Sequence, residues 1–347
     1  LARPDRTDLV GLGPQVFALG RKVNIAEQPR VIARARPRYS TGTVLVGDEA
    51  CCLDTKPKTS APFLGVNKNK DVREVRTFSQ SEADAYYDAA AQLRRYERDI
   101  FPYATLLQNY RELVETQKEY AKPTNQALFS SMRSGSQIAL HLNRLIMNYL
   151  ASFRAFLDHA ETRFSRTFGR DSAEFRDLKA TMALHYDGSF SYPFVYKLRH
   201  YAQHCGLPMG NLEAHATEDP PGSSNVRHQI SVSFVRDQLL AGFDDWGRVK
   251  DQIAAKPEQW DISDDLGYAM TACTDVQATI FRLTVGPVIE PARLIESLRK
   301  EVPDSDAFVF VGTIEPSGDK TWQLRVNELP THIAEMVLIE HAELRNQ

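Results

Sequence analysis

Only four of the 347 residues are cysteines, and two of them, Cys51 and Cys52, are adjacent. Four thiols so placed do not make a disulfide framework, and reduced cysteines are the simplest expectation. No C-x-x-C pair occurs, which argues against a thiolate zinc site. The phosphate-cradling G-x-x-x-x-G-K-[ST] loop and the G-x-S-x-G nucleophile turn are also missing. Val10-Gly-Leu-Gly-Pro14 has the glycines of a phosphate loop, but Pro14 and the lack of a helical pattern after it speak against one. No apolar run reaches the length of a membrane span. The nearest, residues 138–156, is interrupted by His141, Asn143, Arg144, Asn148 and Arg154, so no membrane partner is expected. The chain opens on Leu1, as a chain with further residues upstream would, and its first residues lack the order of a secretion signal. A cytoplasmic protein is expected. No internal repeat or low-complexity tract is found.

Hydrophobic residues make up 42% and charged residues 25%, enough for a sizeable core. The net charge of −3 conceals an uneven distribution. Residues 126–206 carry ten Lys/Arg against six Asp/Glu, whereas residues 207–347 carry twelve against twenty-three. The middle of the chain is mildly basic and the last part acidic. A basic patch attracts nucleic acid, although uneven solvated charge is an equally ordinary outcome.

The expected fold class is α+β, mainly α. Residues 1–78 read as an extended or small β-rich arm, with short strands near 30–36 and 41–46. Residues 79–210 read as a bundle of four or five antiparallel helices. Ser79 or Ser81 caps the first helix, whose Tyr86, Leu93, Tyr96, Ile100, Tyr103, Leu107, Tyr110 and Val114 share one face. This tyrosine-rich stripe is expected to pack rather than stack bases, and Pro102 to kink or split the helix. A long second helix spans about 125–168, with Ile138 to Phe156 forming its apolar face, and Gly169 ends it. A third starts near Asp171 with Ser172 as cap. Residues 211–347 read as an acidic α+β domain, in which 214–225 is a loop, 228–235 a strand, and 308–314 with 321–326 a hairpin. Asp244-Asp245 and Asp264-Asp265 are expected to be solvated charges, and Trp246, Trp260 and Trp322 core or interface anchors.

Chemistry concentrates on Phe190 to His204, a short helix with Pro193 early and Gly206 and Pro208 beyond its end. Arg199 and His204 stand near its last turns, with His200, Tyr201 and Gln203 around them. At about 100° per residue, Arg199 and His204 lie about 140° apart, within reach if the arginine curls. An arginine can hold a phosphate, and a histidine can exchange a proton with a ribose hydroxyl or a leaving oxygen. Spacing alone is weak evidence, because Arg154 and His159 repeat it on the long helix. The plain alternative is that Arg199 pairs with a carboxylate and His204 only closes the helix. His200 and His204 at i, i+4 also suit two metal ligands, with Cys205 as a third, but Tyr201 stands where an H-E-x-x-H pattern has glutamate.

Leu198-Arg-His-Tyr-Ala-Gln-His204 resembles the signature of the HEPN superfamily, in which an arginine is followed by a polar residue and, four to six positions on, by a histidine. The resemblance covers about residues 81–210. It implies an α-helical bundle and a metal-independent endoribonuclease that needs no cofactor and cuts RNA through its 2′-hydroxyl. It also implies a homodimer with two motifs facing a shared cleft. Toxin or antiviral defence systems would be its setting, with an antitoxin or regulatory protein as a further partner. By the resemblance Arg199 binds the phosphate, His204 is the general acid or base, and His200 fills the polar position, where asparagine is commoner. Tyr201 and Gln203 are expected beside the cleft as supporting residues. Some members of the superfamily are inactive, so a non-catalytic module binding RNA or a protein partner is the alternative.

Overall fold

A computed structural model describes residues 15–18, 21–24, 42–46, 61–68, 71–122, 132–218, 226–302, 307–318 and 321–345. The expected strand near 30–36, the Gly-rich stretch at 10–14 and the start of the long helix at 125 lie outside these residues. The fold is α+β and mainly α, as the sequence pattern suggests. It divides into two compact units: residues 1–25 with 101–283, and residues 26–100 with 284–347.

The first unit contains a small hairpin, β1 (Gln15–Ala18) with β2 (Arg21–Asn24), and the second half of helix α1 (Gln80–Tyr120). Then come α2 (Met132–Thr167), α3 (Ala173–Gly188) and α4 (Ser191–His204). An antiparallel three-stranded sheet follows, β6 (Asn211–Glu218), β7 (Val226–Val235) and β8 (Gln259–Asp261), in that order. Helices α5 (Arg236–Gly242) and α6 (Lys250–Ala254) precede β8, and α7 (Ile262–Thr284) closes the unit. The apolar face foreseen on α2 is buried without exception from Ile138 to Phe156. Ser172 caps α3 by accepting the Phe175 N–H at 3.0 Å, and Gly169, at φ 89°, takes the left-handed turn that ends α2.

The second unit is built on a five-stranded antiparallel sheet of order β3-β10-β9-β4-β5. Its strands are β3 (Gly42–Val46), β4 (Phe63–Lys68), β5 (Asp71–Thr77), β9 (Phe308–Gly318) and β10 (Thr321–Glu328). The expected C-terminal hairpin is present, and the strand foreseen near 41–46 as part of a separate N-terminal arm is β3, its sheet neighbour; β4 and β5, which the sequence pattern did not show, pair on its other side. Backbone groups left unpaired at a sheet edge are satisfied by any strand of matching register, near or far in sequence. With the first half of α1, α8 (Ile289–Lys300) and α9 (Thr331–Arg345) complete the unit. Helix α1 starts with a capping box: Ser79 Oγ accepts the Glu82 N–H, and Glu82 Oε2 accepts the Ser79 N–H at 2.8 Å.

Three further expectations change. Pro102 does not split α1, which runs unbroken for 41 residues. One missing N–H is tolerated where buried side chains on both sides, Tyr96, Tyr103 and Leu106, hold the helix in place. Ala214 to Glu218, expected as loop, belong to β6, paired with β7 from Asn211↔Ser233 to Glu218↔Val226; the rest of the expected loop, 219–225, lies outside the described residues. The boundary expected at 210 falls inside one hydrophobic core, which runs from Tyr103 through Leu198 and Trp246 to Ile280. A helix pattern shows which face is apolar but not which later segment will cover it.

That core sets the cost of altering it. Phe153 is fully buried at its centre, and Leu140, on the same helix, is 67% exposed. Phe153→Ala is expected to lower unfolding free energy by about 3–5 kcal/mol, and Leu140→Ala to stay within about 0.5 kcal/mol, measured by urea denaturation. Equal effects at the two positions would contradict this packing.

Candidate functional site

Helix α4 carries the site, and its position is set from both ends. At its start Asp265, only 4% exposed, accepts the Ser191 hydroxyl at 2.6 Å and the Trp260 indole N–H at 2.8 Å. Asp265 was expected to be solvated. It is instead a buried acceptor joining α7, β8 and the first turn of α4. Its neighbour Asp264, and Asp244 and Asp245, are exposed as foreseen. At the other end the Cys205 N–H donates to the Tyr201 carbonyl at 2.9 Å, and Gly206 follows. A Cβ on Gly206 would lie 2.9 Å from the Tyr201 hydroxyl, so close approach of that side chain is what suits glycine here. Beyond it, the buried Asn143 of α2 accepts the Met209 N–H at 3.1 Å and ties the exit loop to the bundle.

Between these anchors one side of α4 is buried through Tyr192, Phe194, Val195, Leu198 and Tyr201. Phe194 packs against Phe234 at 5.1 Å, Trp246 at 5.8 Å and Trp260 at 5.9 Å between ring centres. Trp246 and Trp260 are core anchors as expected, whereas the Trp322 side chain lies outside the described residues. Tyr201 does not line a cleft. It is 2% exposed and stacks on Trp246 at 5.9 Å. About 100° separates it from His200 around the axis, which turns it into the core.

The polar side carries the other singled-out residues. Arg199 and His200 are half-buried, while Gln203 and His204 are exposed. The His200 and His204 rings stand 6.5 Å apart, centre to centre. Arg199 Nε is buried and has no hydrogen-bond acceptor among the described residues. A buried donor without an acceptor costs roughly 1–3 kcal/mol, so an anion placed there would be favoured. Among the described residues Arg199 Nε has no carboxylate partner, and a backbone hydrogen bond from Cys205 to Tyr201 closes the helix end.

Other cations gather here that the motif did not indicate. Lys197, one turn before His200, pairs with the exposed Asp245 at 2.8 Å. Arg154 of α2, set aside in the sequence as a chance repeat, lies over the Tyr196 ring at 4.3 Å and pairs with Asp158 at 2.7 Å. Tyr196 meets Tyr186 edge-on at 6.4 Å, and Arg248 lies over Tyr186 at 5.3 Å while pairing with Asp187 at 2.6 Å. Burial, then the charges of Arg199, Lys197, Arg154 and His204, push the His200 imidazole below its ordinary pKa. Lys197 could have been found at i−3 from His200. Arg154 could not, since only the packing of α2 on α4 brings it near.

His200 and His204 do share a face, as two ligands would need, but among the described residues no three His, Cys, Asp or Glu side chains group as a metal site. A cavity of about 550 Å³ is lined by Glu161, Thr162, Ser165, Arg166, Arg170 and Phe175, and includes none of the α4 residues. Among the described residues no helix is long and apolar enough to cross a membrane. No family model, curated protein or solved structure matches the chain.

The anchoring of α4 can be tested directly. Asp265→Ala leaves the Ser191 hydroxyl and the Trp260 N–H without their acceptor, at roughly 1–3 kcal/mol each. The variant is expected to unfold at markedly lower urea concentration, with altered Trp fluorescence from the site region. A denaturation midpoint equal to that of the unaltered protein would show that Asp265 does not hold the helix.

Proposed function

We propose that this chain is a metal-independent endoribonuclease of HEPN type, cleaving RNA by attack of a ribose 2′-hydroxyl on the adjacent phosphate. The observation that carries this reading is the unsatisfied buried Nε–H of Arg199, set beside His200 and five residues before the exposed His204 on the same helix. A scissile phosphate seated on Arg199 would supply the missing acceptor, and charge building on its oxygens would strengthen that bond in the transition state. Histidine then moves the protons. The products would be a 2′,3′-cyclic phosphate and a 5′-hydroxyl. A homodimer, a cytoplasmic location and a role in a toxin or defence system, with an antitoxin or regulatory partner, belong to the same proposal and rest on the motif resemblance.

One observation favours a second reading, a module that binds RNA without cutting it. Arg154 on Tyr196 and Arg248 on Tyr186 form an alternating cationic and aromatic strip beside the motif. Guanidinium and aromatic planes accept unpaired bases without sequence preference. Each arginine is tied to an aspartate, which also makes the strip a sound packing device without RNA.

Purified protein is expected to cut single-stranded RNA in EDTA. Arg199→Ala and His204→Ala should each lower the rate by about 10²-fold or more. RNA retained by the protein in a salt-sensitive complex, with no product at any enzyme concentration, would select the binding module. Cleavage unchanged in both variants would remove the Arg199 and His204 assignment.

A further inference from the structure

Transesterification at phosphorus needs two proton transfers on opposite sides of the reacting centre. The 2′-hydroxyl must lose a proton and the departing 5′-oxygen must gain one. The motif as a resemblance supplies one histidine per chain, whereas this chain presents two on one face of α4. His200 and His204 are four residues apart, about 40° around the axis, with ring centres 6.5 Å apart and planes inclined by 32°. A ring-centre separation of 6.5 Å is short enough for one phosphate lying across both rings to meet each imidazole through a different oxygen.

Their surroundings differ in the sense that two opposite roles require. His200 is half-buried and faces Arg199, Lys197 and His204 of its own helix, Arg154 of α2, and Asp245 of the loop after α5. His204 is the last residue of the helix and is exposed. We propose that His200 is the general base that takes the 2′-hydroxyl proton, and that His204 of the same chain is the general acid that protonates the 5′-oxygen. The proposal rests on the ribonuclease reading and deepens it.

The 2′-oxygen, relieved of its proton by neutral His200, forms the new bond to phosphorus. The bond from phosphorus to the 5′-oxygen breaks, and protonated His204 gives its proton to that oxygen. The enzyme is left with His200 protonated and His204 neutral, and exchange with water restores both. Arg199 stays charged throughout and holds the phosphate. A base must be neutral at working pH, and burial with three neighbouring cations favours the neutral imidazole at His200. Lys197 and Arg154 have carboxylate partners, so part of their charge is offset.

The deciding comparison is kcat/KM against pH, in EDTA, for the unaltered protein, His200→Asn, His200→Ala and His204→Ala on one single-stranded RNA. His200→Asn restores the polar residue commonest in the resembling family but cannot act as a base. It is expected to lose about 10²–10⁴-fold in kcat/KM and the acidic limb of the profile. Binding of the 2′-deoxy version of the same strand should change by less than about threefold, since the lost step is proton transfer and not binding. Near-normal cleavage by His200→Asn with the acidic limb intact would overturn the proposal while leaving the ribonuclease reading in place. So would restored activity on mixing His200→Ala with His204→Ala protein, because the two histidines would then act across chains. An inert unaltered protein would overturn both. Should the variants not fold, NMR titration of His200 in the unaltered protein is set beside its kcat/KM profile: an acidic limb whose midpoint differs from that of His200 would overturn the assignment.

Discussion

The structure around the site depends on the burial of Phe194 among Phe234, Trp246 and Trp260. Aromatic rings bury more area per residue than other side chains, and edge-on or offset contacts add to that gain. Those four rings come from α4, β7, the turn after α5, and β8. Their contact fixes the rotation of α4 about its own axis. Once Phe194, Leu198 and Tyr201 face inward, Arg199, His200 and Gln203 must point away from the core, and Arg199 and His200 are half-buried by what packs beside them.

That half-buried position explains the electrostatics. A guanidinium half out of water keeps its charge but loses some of its solvent partners, and Arg199 Nε is the atom left without one. The packing of α2 on α4 brings Arg154 toward the same place, stacked on Tyr196. Burial of His200, and then the positive charge that accumulates around it, disfavour its protonation. Asp265 and Asn143 act at a distance from this chemistry, at the two ends of the segment, by giving buried polar groups fixed partners.

Much of the fold was legible because helices and strands leave a period in the sequence. The apolar stripes of α1 and α2, the Ser79 and Ser172 caps, the strand at β7 and the hairpin of β9 with β10 all follow local rules. The joining of β3, β4 and β5 to a hairpin more than 200 residues later left no such trace. Nor did the burial of Asp265, since an acidic pair at a helix start reads as solvated until Trp260 and Ser191 are brought to it.

At the site, the sequence by itself determined which residue types stand together on α4, where that helix ends, and that Arg199 and His204 point about 140° apart around it. These are consequences of a 3.6-residue turn and hold in any setting. Only the tertiary structure decided that Tyr201 is core, that Arg199 lacks a carboxylate among the described residues, and that Arg154 joins the cluster while its sequence partner His159 does not. The reason is physical: burial and charge at a side chain depend on what packs beside it, and those neighbours come from segments whose spacing in sequence carries no period to read.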